Sequence, residues 1–208
     1  MKMYKLSRDD ILLAVGEFMD IVNGIEDEEK KKAILNLLDH VDERFFTAPA
    51  SGRVTYHNCF PGGLVEHSIR VYKNLKILVE NFCDDQIHED EIIVAGLFHD
   101  LGKIGSINEP YYVDQDSDWH QEKLGEYYTH NDNLTYMGTA QRSLFLLNYF
   151  GVPLNEIETQ AILIHDGQYV DANKPYKQKE EMLSLLLHQA DMISCKQEER
   201  RYWKMVNG

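Results

Sequence analysis

The sequence predicts an all-α protein. Apolar residues recur at helical spacing in most segments of the 208-residue chain, and capping and turn residues separate these segments. No segment alternates apolar and polar residues over a sustained length, so no sheet is predicted. The sequence has no internal repeats, and its length suits one domain, or one domain with an extension. One helical domain over residues 1–208 is therefore the expected organisation.

Two helices are predicted before residue 50. Ser7 is a typical N-cap for the first helix, which has acids in its first turn and an apolar stripe that includes Ile11, Val15 and Phe18. The segment EDEEKKKAILNLLDHVDERFF repeats the pattern, with acids before bases as the helix dipole prefers. Each helix has one apolar face, so both are expected to pack on the rest of the domain.

Five further helices are predicted after an irregular segment rich in proline and glycine, PASGRVTYHNCFPGG. They span residues 64 to about 79, about 89 to 101, 139–150, 155–165 and the closing segment EMLSLLLHQADMISCKQEERRYWKM. Gly102 is expected to close the second of these as a C′ residue. Residues 102–137 have few helix signals and are expected to form a long irregular connection. Loops of this length inside compact domains are usually functional.

The composition excludes several classes of protein. Hydrophobic residues make up 43% of the chain, but no apolar run reaches the roughly 18 residues that a membrane-spanning helix needs. The N-terminus has acids before any long apolar stretch, so it does not look like a signal peptide. Cys59, Cys83 and Cys195 are scattered and odd in number, which favours neither a disulfide framework nor a cysteine-ligated zinc site. A cytoplasmic protein without membrane contact is expected.

The net charge of −14 bears on the binding partner. A protein that holds long nucleic acid by its phosphates normally has a basic face. An acidic chain can still have a local basic pocket, so the charge favours a small substrate over a polymer. The composition leaves open whether identical chains form an oligomer.

Polar residues interrupt otherwise apolar helix faces at four places: His67, the adjacent His99 and Asp100, His165, and Asp191. A lone histidine on such a face is most often a satisfied core residue. An aspartate inside a leucine-rich helix is harder to explain this way, because acids are almost never fully buried unpaired. A metal ion shared by several of these residues is the simpler explanation.

The chain resembles the HD superfamily of metal-dependent phosphohydrolases in the order of four residues on its helices: His67, the His99–Asp100 pair and Asp191. The segments YHNCFPGGLVEHS, HDLGK and HQADMIS resemble its successive motifs, and the resemblance covers roughly residues 50–195. The segment from Asp116 to Gly167 is also similar to small HD hydrolases often encoded by tailed bacteriophages. A protein of that origin would act in the cytoplasm of the host cell.

The resemblance implies a single HD-domain helical bundle, with its core at about residues 50–195 and a long irregular loop after the HD motif. It further implies that one divalent metal ion is held by four residues: His67, His99, Asp100 and Asp191. This ligand set suits Mn²⁺, Fe²⁺, Co²⁺, Ni²⁺ or Zn²⁺, and Mg²⁺ with several waters. Thr139 stands where similar proteins often have a histidine, which favours one ion over two. His165 and His130 are the candidates for a second metal or a phosphate contact.

Lys103 and Arg70 are expected to contact the substrate phosphate and, with Asp100, to be the catalytic residues. In this family a lysine that follows the HD pair tends to face the phosphate. Arg70 lies three residues after His67, on the same helix face, and could bind phosphate through two parallel hydrogen bonds. The alternatives are a solvated lysine and a structural ion pair of the arginine.

The connection over 102–137 is rich in tyrosine and also contains Trp119. Aromatic side chains stack on nucleobases, so Tyr111 and Trp119 are expected to bind substrate, with Asp118 reading a base edge or ribose hydroxyls. The alternative is that these aromatic residues only pin the loop onto the helices.

The expected function is hydrolysis of a nucleotide or similar small phosphate ester by a water molecule held on the metal. Two alternatives remain open. The first is a phosphodiesterase or 3′–5′ exonuclease acting on short or cyclic nucleotides. The second is a degenerate HD domain that only binds, although such domains generally lose a ligand and this chain has all four.

Overall fold

The computed structural model describes residues 3, 5–41, 43–83 and 87–207. The helices are α1 (Arg8–Asn23), α2 (Glu28–Val41), α3 (Arg44–Thr47), α4 (Gly63–Phe82), α5 (Glu89–Phe98), α6 (Thr139–Tyr149), α7 (Glu156–Ile164) and α8 (Met182–Asn207). Two strands, β1 (Tyr112–Asp114) and β2 (Tyr128–His130), form an antiparallel pair. The chain is therefore predominantly helical, and the all-α prediction is confirmed.

Helix α4 is the centre of the bundle. It packs against α5 and α8 and also contacts α1 and α3. Helix α5 has the sequence EDEIIVAGLF and is buried on nearly every side, because it is apolar all round after its first turn. Its N-terminus is capped by His88 in a capping box with Glu91. Any polar group that follows α5 directly is therefore placed inside the protein.

The N-terminal helices share the core of the bundle. Phe18 of α1 contacts Phe45 of α3 and Phe98 of α5, with ring centroids 4.9 and 5.7 Å apart. Ser7 caps α1 in a capping box with Asp10, as the sequence indicates. The segment expected to form a single second helix contains both α2 and α3, and Asp42 between them lies outside the described residues.

The connection after α5 contains more regular structure than the sequence indicates. A 3₁₀ turn over Leu101–Ile104 follows α5, and a π-helical turn over His120–Leu124 lies between β1 and β2. The expectation that no strand forms is wrong for six residues, in which Tyr112 pairs with His130 and Asp114 with Tyr128. Strands of three residues are too short for their alternation to be seen in the sequence.

The expected role of Gly102 as a left-handed C′ residue is wrong. Gly102 is not among the glycines with positive φ, and it lies inside the 3₁₀ turn. The residue with a left-handed backbone here is Gly105, whose φ is 99°. Gly102 is required for close packing instead, since a Cβ atom on it would lie 2.2 Å from the carbonyl oxygen of Thr139.

Among the described residues, no helix combines the length and the apolar character that crossing a bilayer requires.

Candidate metal centre

The four residues of the predicted metal site come from three helices that pack together. His67 lies in the first half of α4, His99 and Asp100 directly follow α5, and Asp191 lies within α8. Because α4 contacts both α5 and α8, the three segments converge. Both imidazoles are fully buried, and the Asp191 side chain is 17% exposed.

The donor atoms lie close together. The Nε2 atom of His67 is 3.2 Å from Oδ1 of Asp191 and 3.6 Å from Oδ2 of Asp100. The Nε2 atom of His99 is also 3.6 Å from Oδ2 of Asp100. The ligand atoms of His67, His99 and Asp191 all lie within 4.8 Å of one another. The structure thus brings together all four residues that the sequence singled out.

Hydrogen bonds fix the orientation of both rings. Nδ1 of His67 donates to Glu198, with its Oε2 atom 3.1 Å away, and Nδ1 of His99 donates to the carbonyl oxygen of Gly96 at 3.0 Å. Within the described chain, Nε2 of each ring is buried and has no hydrogen-bond partner; Asp191 lies near His67 but not in hydrogen-bond geometry. Two inward-facing imidazole nitrogens beside two carboxylates fit a divalent cation with nitrogen and oxygen ligands.

The electrostatics of the cluster favour a bound cation. Burial lowers the pKa of His99 to about 4, so this imidazole is neutral and can act as a ligand. Burial opposes charge on His67, but Glu198 and Asp191 outweigh it and raise its pKa to about 10. Although burial disfavours their charged forms, the pKa values of Asp100 and Asp191 are lowered by the neighbouring Lys103 and histidines. Both carboxylates are therefore ionised and attract positive charge, which a bound metal ion would supply.

Lys103 and His165 flank Asp100 on its two oxygens. Nζ of Lys103 lies 2.6 Å from Oδ2, and Nε2 of His165 lies 3.6 Å from Oδ1. His165 is buried, donates from Nδ1 to the carbonyl oxygen of Ile162 at 2.8 Å, and has its ring 4.9 Å from that of His99. The donor atoms of His99, Asp100 and His165 form a second group that could hold an ion.

Arg70 is in an ion-pair network rather than beside the two carboxylates of the site. Its Nε donates to Glu198 at 3.1 Å and its Nη2 to Glu66 at 2.8 Å. Glu66 also pairs with Arg201. Since Glu198 accepts the hydrogen bond from His67, Arg70 touches the site through that carboxylate.

The other predicted substrate residues lie along the connection after the HD pair. His130 on β2 packs its ring against Tyr111 and Tyr112, with centroids 4.9 and 5.6 Å away. Trp119 is 58% exposed and contacts His120. Asp118 is exposed. The structure does not bring Trp119 or Asp118 to the metal ligands, so their roles stay predictions.

A cavity of about 390 Å³ opens beside the cluster. Its walls include Lys103, His57, Tyr112, His130 and the backbone of Gly52. The cavity volume is within the range of about 300–1,000 Å³ that is typical of sites for small ligands. Lys103 therefore lies between the cavity and Asp100.

The sequence did not assign roles to two residues that the structure places at the cluster. Glu198 is seven residues after Asp191, hence on the same face of α8, but it lies in the charged run KQEERR, which looks solvent-exposed. The ring of His57 is 4.8 Å from that of His67, and its buried Nε2 has no hydrogen-bond partner in the described chain. Burial, followed by Lys103, lowers the pKa of His57, so the imidazole is neutral.

Comparison with known proteins agrees with the motifs. The family model of the HD domain matches residues 64–139, which include His67, His99 and Asp100. The dihydroneopterin 2′,3′-cyclic phosphate phosphodiesterase of Methanocaldococcus jannaschii is 29% identical over 94 residues, which cover 40% of this chain. The chain spans 38% of the length of that relative. No solved structure matches the chain significantly.

Proposed function

We propose that the chain, whose residues 64–139 match the family model of the HD domain, is a metal-dependent phosphohydrolase that acts on a nucleotide or a similar small phosphate ester. The observation that carries the proposal is the pair of buried Nε2 atoms of His67 and His99, which make no hydrogen bond within the described chain and face two carboxylates beside a cavity. Catalysis by a divalent ion requires such a ligand set together with an open side for substrate.

His67, His99, Asp100 and Asp191 would hold the ion. When bound, a divalent ion lowers the pKa of a water molecule and offsets negative charge on the phosphoryl group. Glu198 and the carbonyl of Gly96 keep the two imidazole rings oriented through their Nδ1 atoms.

Lys103 supplies positive charge at the entrance of the site. Its ammonium pairs with Asp100 and lines the cavity, so a phosphate there would meet a charge that is already fixed in position. Burial opposes the charge of this lysine, but Asp100 raises its pKa, which keeps it protonated. His165, on the opposite oxygen of Asp100, is the better placed of the two candidates for an additional ligand or phosphate contact.

Hydrolysis of a cyclic phosphodiester is the second candidate within the same chemistry. The relative from Methanocaldococcus jannaschii is named for a 2′,3′-cyclic phosphate substrate. A role in binding alone is less well supported, because all four residues of the proposed ligand set are present and lie close together.

A substrate screen tests the proposal. The protein would be loaded separately with Mn²⁺, Mg²⁺, Co²⁺ or Ni²⁺ and given nucleoside mono-, di- and triphosphates, 2′,3′- and 3′,5′-cyclic nucleotides and dihydroneopterin 2′,3′-cyclic phosphate. We expect metal-dependent phosphate or diester hydrolysis of at least one class. Stoichiometric metal binding without turnover of any class would favour the binding role.

Lys103→Met tests the predicted phosphate contact. We expect kcat/KM to fall by on the order of 10²-fold, with the metal still bound, because electrostatic stabilisation of the phosphoryl group is lost. Lys174→Met, at an exposed lysine that pairs with Asp171, is the matched control. The sequence also predicts a similar loss of kcat/KM for Arg70→Met. In this structure such a loss would arise through Glu198, which accepts a hydrogen bond from Arg70. Unchanged kinetics in both site variants would limit the two residues to structural roles.

A further inference from the structure

A second cavity, of about 340 Å³, adjoins the one at Lys103. His130 lines both cavities, so they share a wall. Tyr111 and Leu134 contribute aromatic and apolar surface to the second cavity, and Arg142 and Asp132 contribute opposite charges. Its size and mixed lining are typical of a site for a single ring system.

Arg142 is unusual because it is buried without a carboxylate partner. Its side chain begins on α6 behind the HD segment, where a Cβ atom on Gly102 would lie 3.0 Å from the Cβ of Arg142. The residue is 4% exposed and its Nη2 donates to the carbonyl oxygen of Thr135 at 2.7 Å. Within the described chain its buried Nε has no hydrogen-bond partner, and no carboxylate contributes to its electrostatics. Arg142 also lines the second cavity, so a ligand oxygen in that cavity would meet a cation that has no carboxylate partner among the described residues.

The other residues that line the cavity indicate the chemical group to which this ligand oxygen belongs. A second phosphate would meet the carboxylate of Asp132, which is exposed at the same cavity and would repel it. The rings of Tyr111 and His130 lie 4.9 Å apart in the lining of the second cavity and suit a flat, aromatic ligand. A ring that offers a carbonyl oxygen to Arg142 and N–H groups to Asp132 satisfies both charged residues.

We propose that this second cavity binds the ring of the substrate, and that it selects a lactam edge of the guanine or pterin type. The carbonyl oxygen of the ring accepts a hydrogen bond from Arg142, and its ring N–H and amino groups donate to Asp132. The phosphate of the same molecule lies at Lys103, on the other side of His130. The inference rests on the proposed function, since it names the substrate class of that site.

Calorimetric binding to the metal-free protein tests the ring site without turnover. The ligands are guanosine 2′,3′-cyclic phosphate, its adenosine counterpart and dihydroneopterin 2′,3′-cyclic phosphate, so that guanine and pterin are distinguished from each other and from adenine. We expect at least one lactam ligand to bind 10-fold or more tightly than the adenosine compound, about the discrimination that one good paired contact provides. Asp132→Asn should reduce this preference by roughly 10-fold, and Arg142→Lys should do the same. Asp116→Asn, at an exposed acid of the same connection, is the control and should leave the preference unchanged.

Equal affinity of the three ligands would overturn the inference, and so would a preference that survives Asp132→Asn. This variant lies at an exposed position, so it keeps the test decisive even if Arg142→Lys does not fold. Hydrolysis of 4-nitrophenyl phosphate and of bis(4-nitrophenyl) phosphate, a monoester and a diester without a base, is measured separately on the metal-loaded wild-type protein. The absence of both activities would count against the proposed function, whereas the binding preference alone decides on the ring site.

Discussion

At the scale of single residues, the proposed metal site depends on four side chains and on the groups that orient them. Four residues stand out in the sequence because each is polar on an apolar helix face: His67, His99, Asp100 and Asp191. The structure brings these four side chains together. The role of Glu198 depends on α8 lying against α4 in one register, which the sequence does not specify. Its neighbours in sequence are charged, so it resembles a solvent-exposed residue.

Asp100→Ala should abolish metal binding and hydrolysis together. The carboxylate lies within 3.6 Å of His67, His99 and His165, so its loss removes the group that the donor atoms share. Metal content after purification and turnover are the two measurements. Asp171→Ala, at an aspartate whose side chain is 91% exposed, is the control. Full metal occupancy in Asp100→Ala would exclude Asp100 as a ligand.

Glu198→Gln should weaken metal binding by about 10- to 100-fold while leaving the fold intact. The carboxylate accepts the hydrogen bond from Nδ1 of His67, and its charge makes the imidazole a better ligand. Titration with Co²⁺, followed by its visible absorption, measures the affinity. Glu199→Gln is the matched control, because Glu199 pairs only with Lys196 at the surface among the described contacts. Equal affinities in the two variants would contradict the positioning role.

At the scale of elements, helix type and order followed from apolar periodicity, whereas the structure of the connection did not. The helices α4, α6, α7 and α8 lie close to their predicted spans, since amphipathic patterns and caps are local signals. Strands β1 and β2 are three residues each and pair across a π-helical turn, so they depend on contacts within the folded connection. Gly102 was misassigned because a glycine after a helix is most often a C′ residue, whereas here it makes room for α6.

Gly102→Ala should destabilise the protein by about 1–3 kcal/mol, the usual cost of overpacking. The new methyl group would meet the carbonyl oxygen of Thr139 at 2.2 Å, so either α6 or the segment that contains Asp100 and Lys103 must move. Gly16→Ala is the control, because nothing lies within 4 Å of the added methyl group in the middle of α1. That variant should gain about 0.5–1 kcal/mol. Chemical denaturation of both variants measures the difference, and equal changes in the two would refute the packing role of Gly102.

At the scale of the whole molecule, the acidic charge and the volumes of the two cavities, about 340 and 390 Å³, favour a small substrate. The chain has a net charge of −14, and Lys103 places a positive charge directly beside Asp100. The aromatic residues of the connection after α5 predicted substrate binding there, but the walls of both cavities depend on how that connection folds back on the helices. The likeness to proteins of tailed bacteriophages and the one-domain organisation stay predictions.

The size of the substrate can be tested directly. If the chain acts on nucleotides, it should hydrolyse mononucleotides or cyclic mononucleotides far better than single strands of about 20 nucleotides, and its KM should change little between about 50 and 200 mM salt. Few counterions are released when one nucleotide binds, so a weak salt dependence is expected. Degradation of long strands with a steep salt dependence, and no activity on mononucleotides, would establish the exonuclease alternative.

The central claim is that four residues from α4, α5 and α8 hold one divalent ion. A crystal structure of the protein grown with Mn²⁺, with anomalous data collected to locate the metal, tests it most directly. We predict one strong peak with donor atoms of His67, His99, Asp100 and Asp191 at about 2.0–2.3 Å. A second peak beside His165 would leave the ligand set intact and raise the number of ions to two. A peak elsewhere in the molecule, or any two of the four side chains pointing away from each other, would contradict the account.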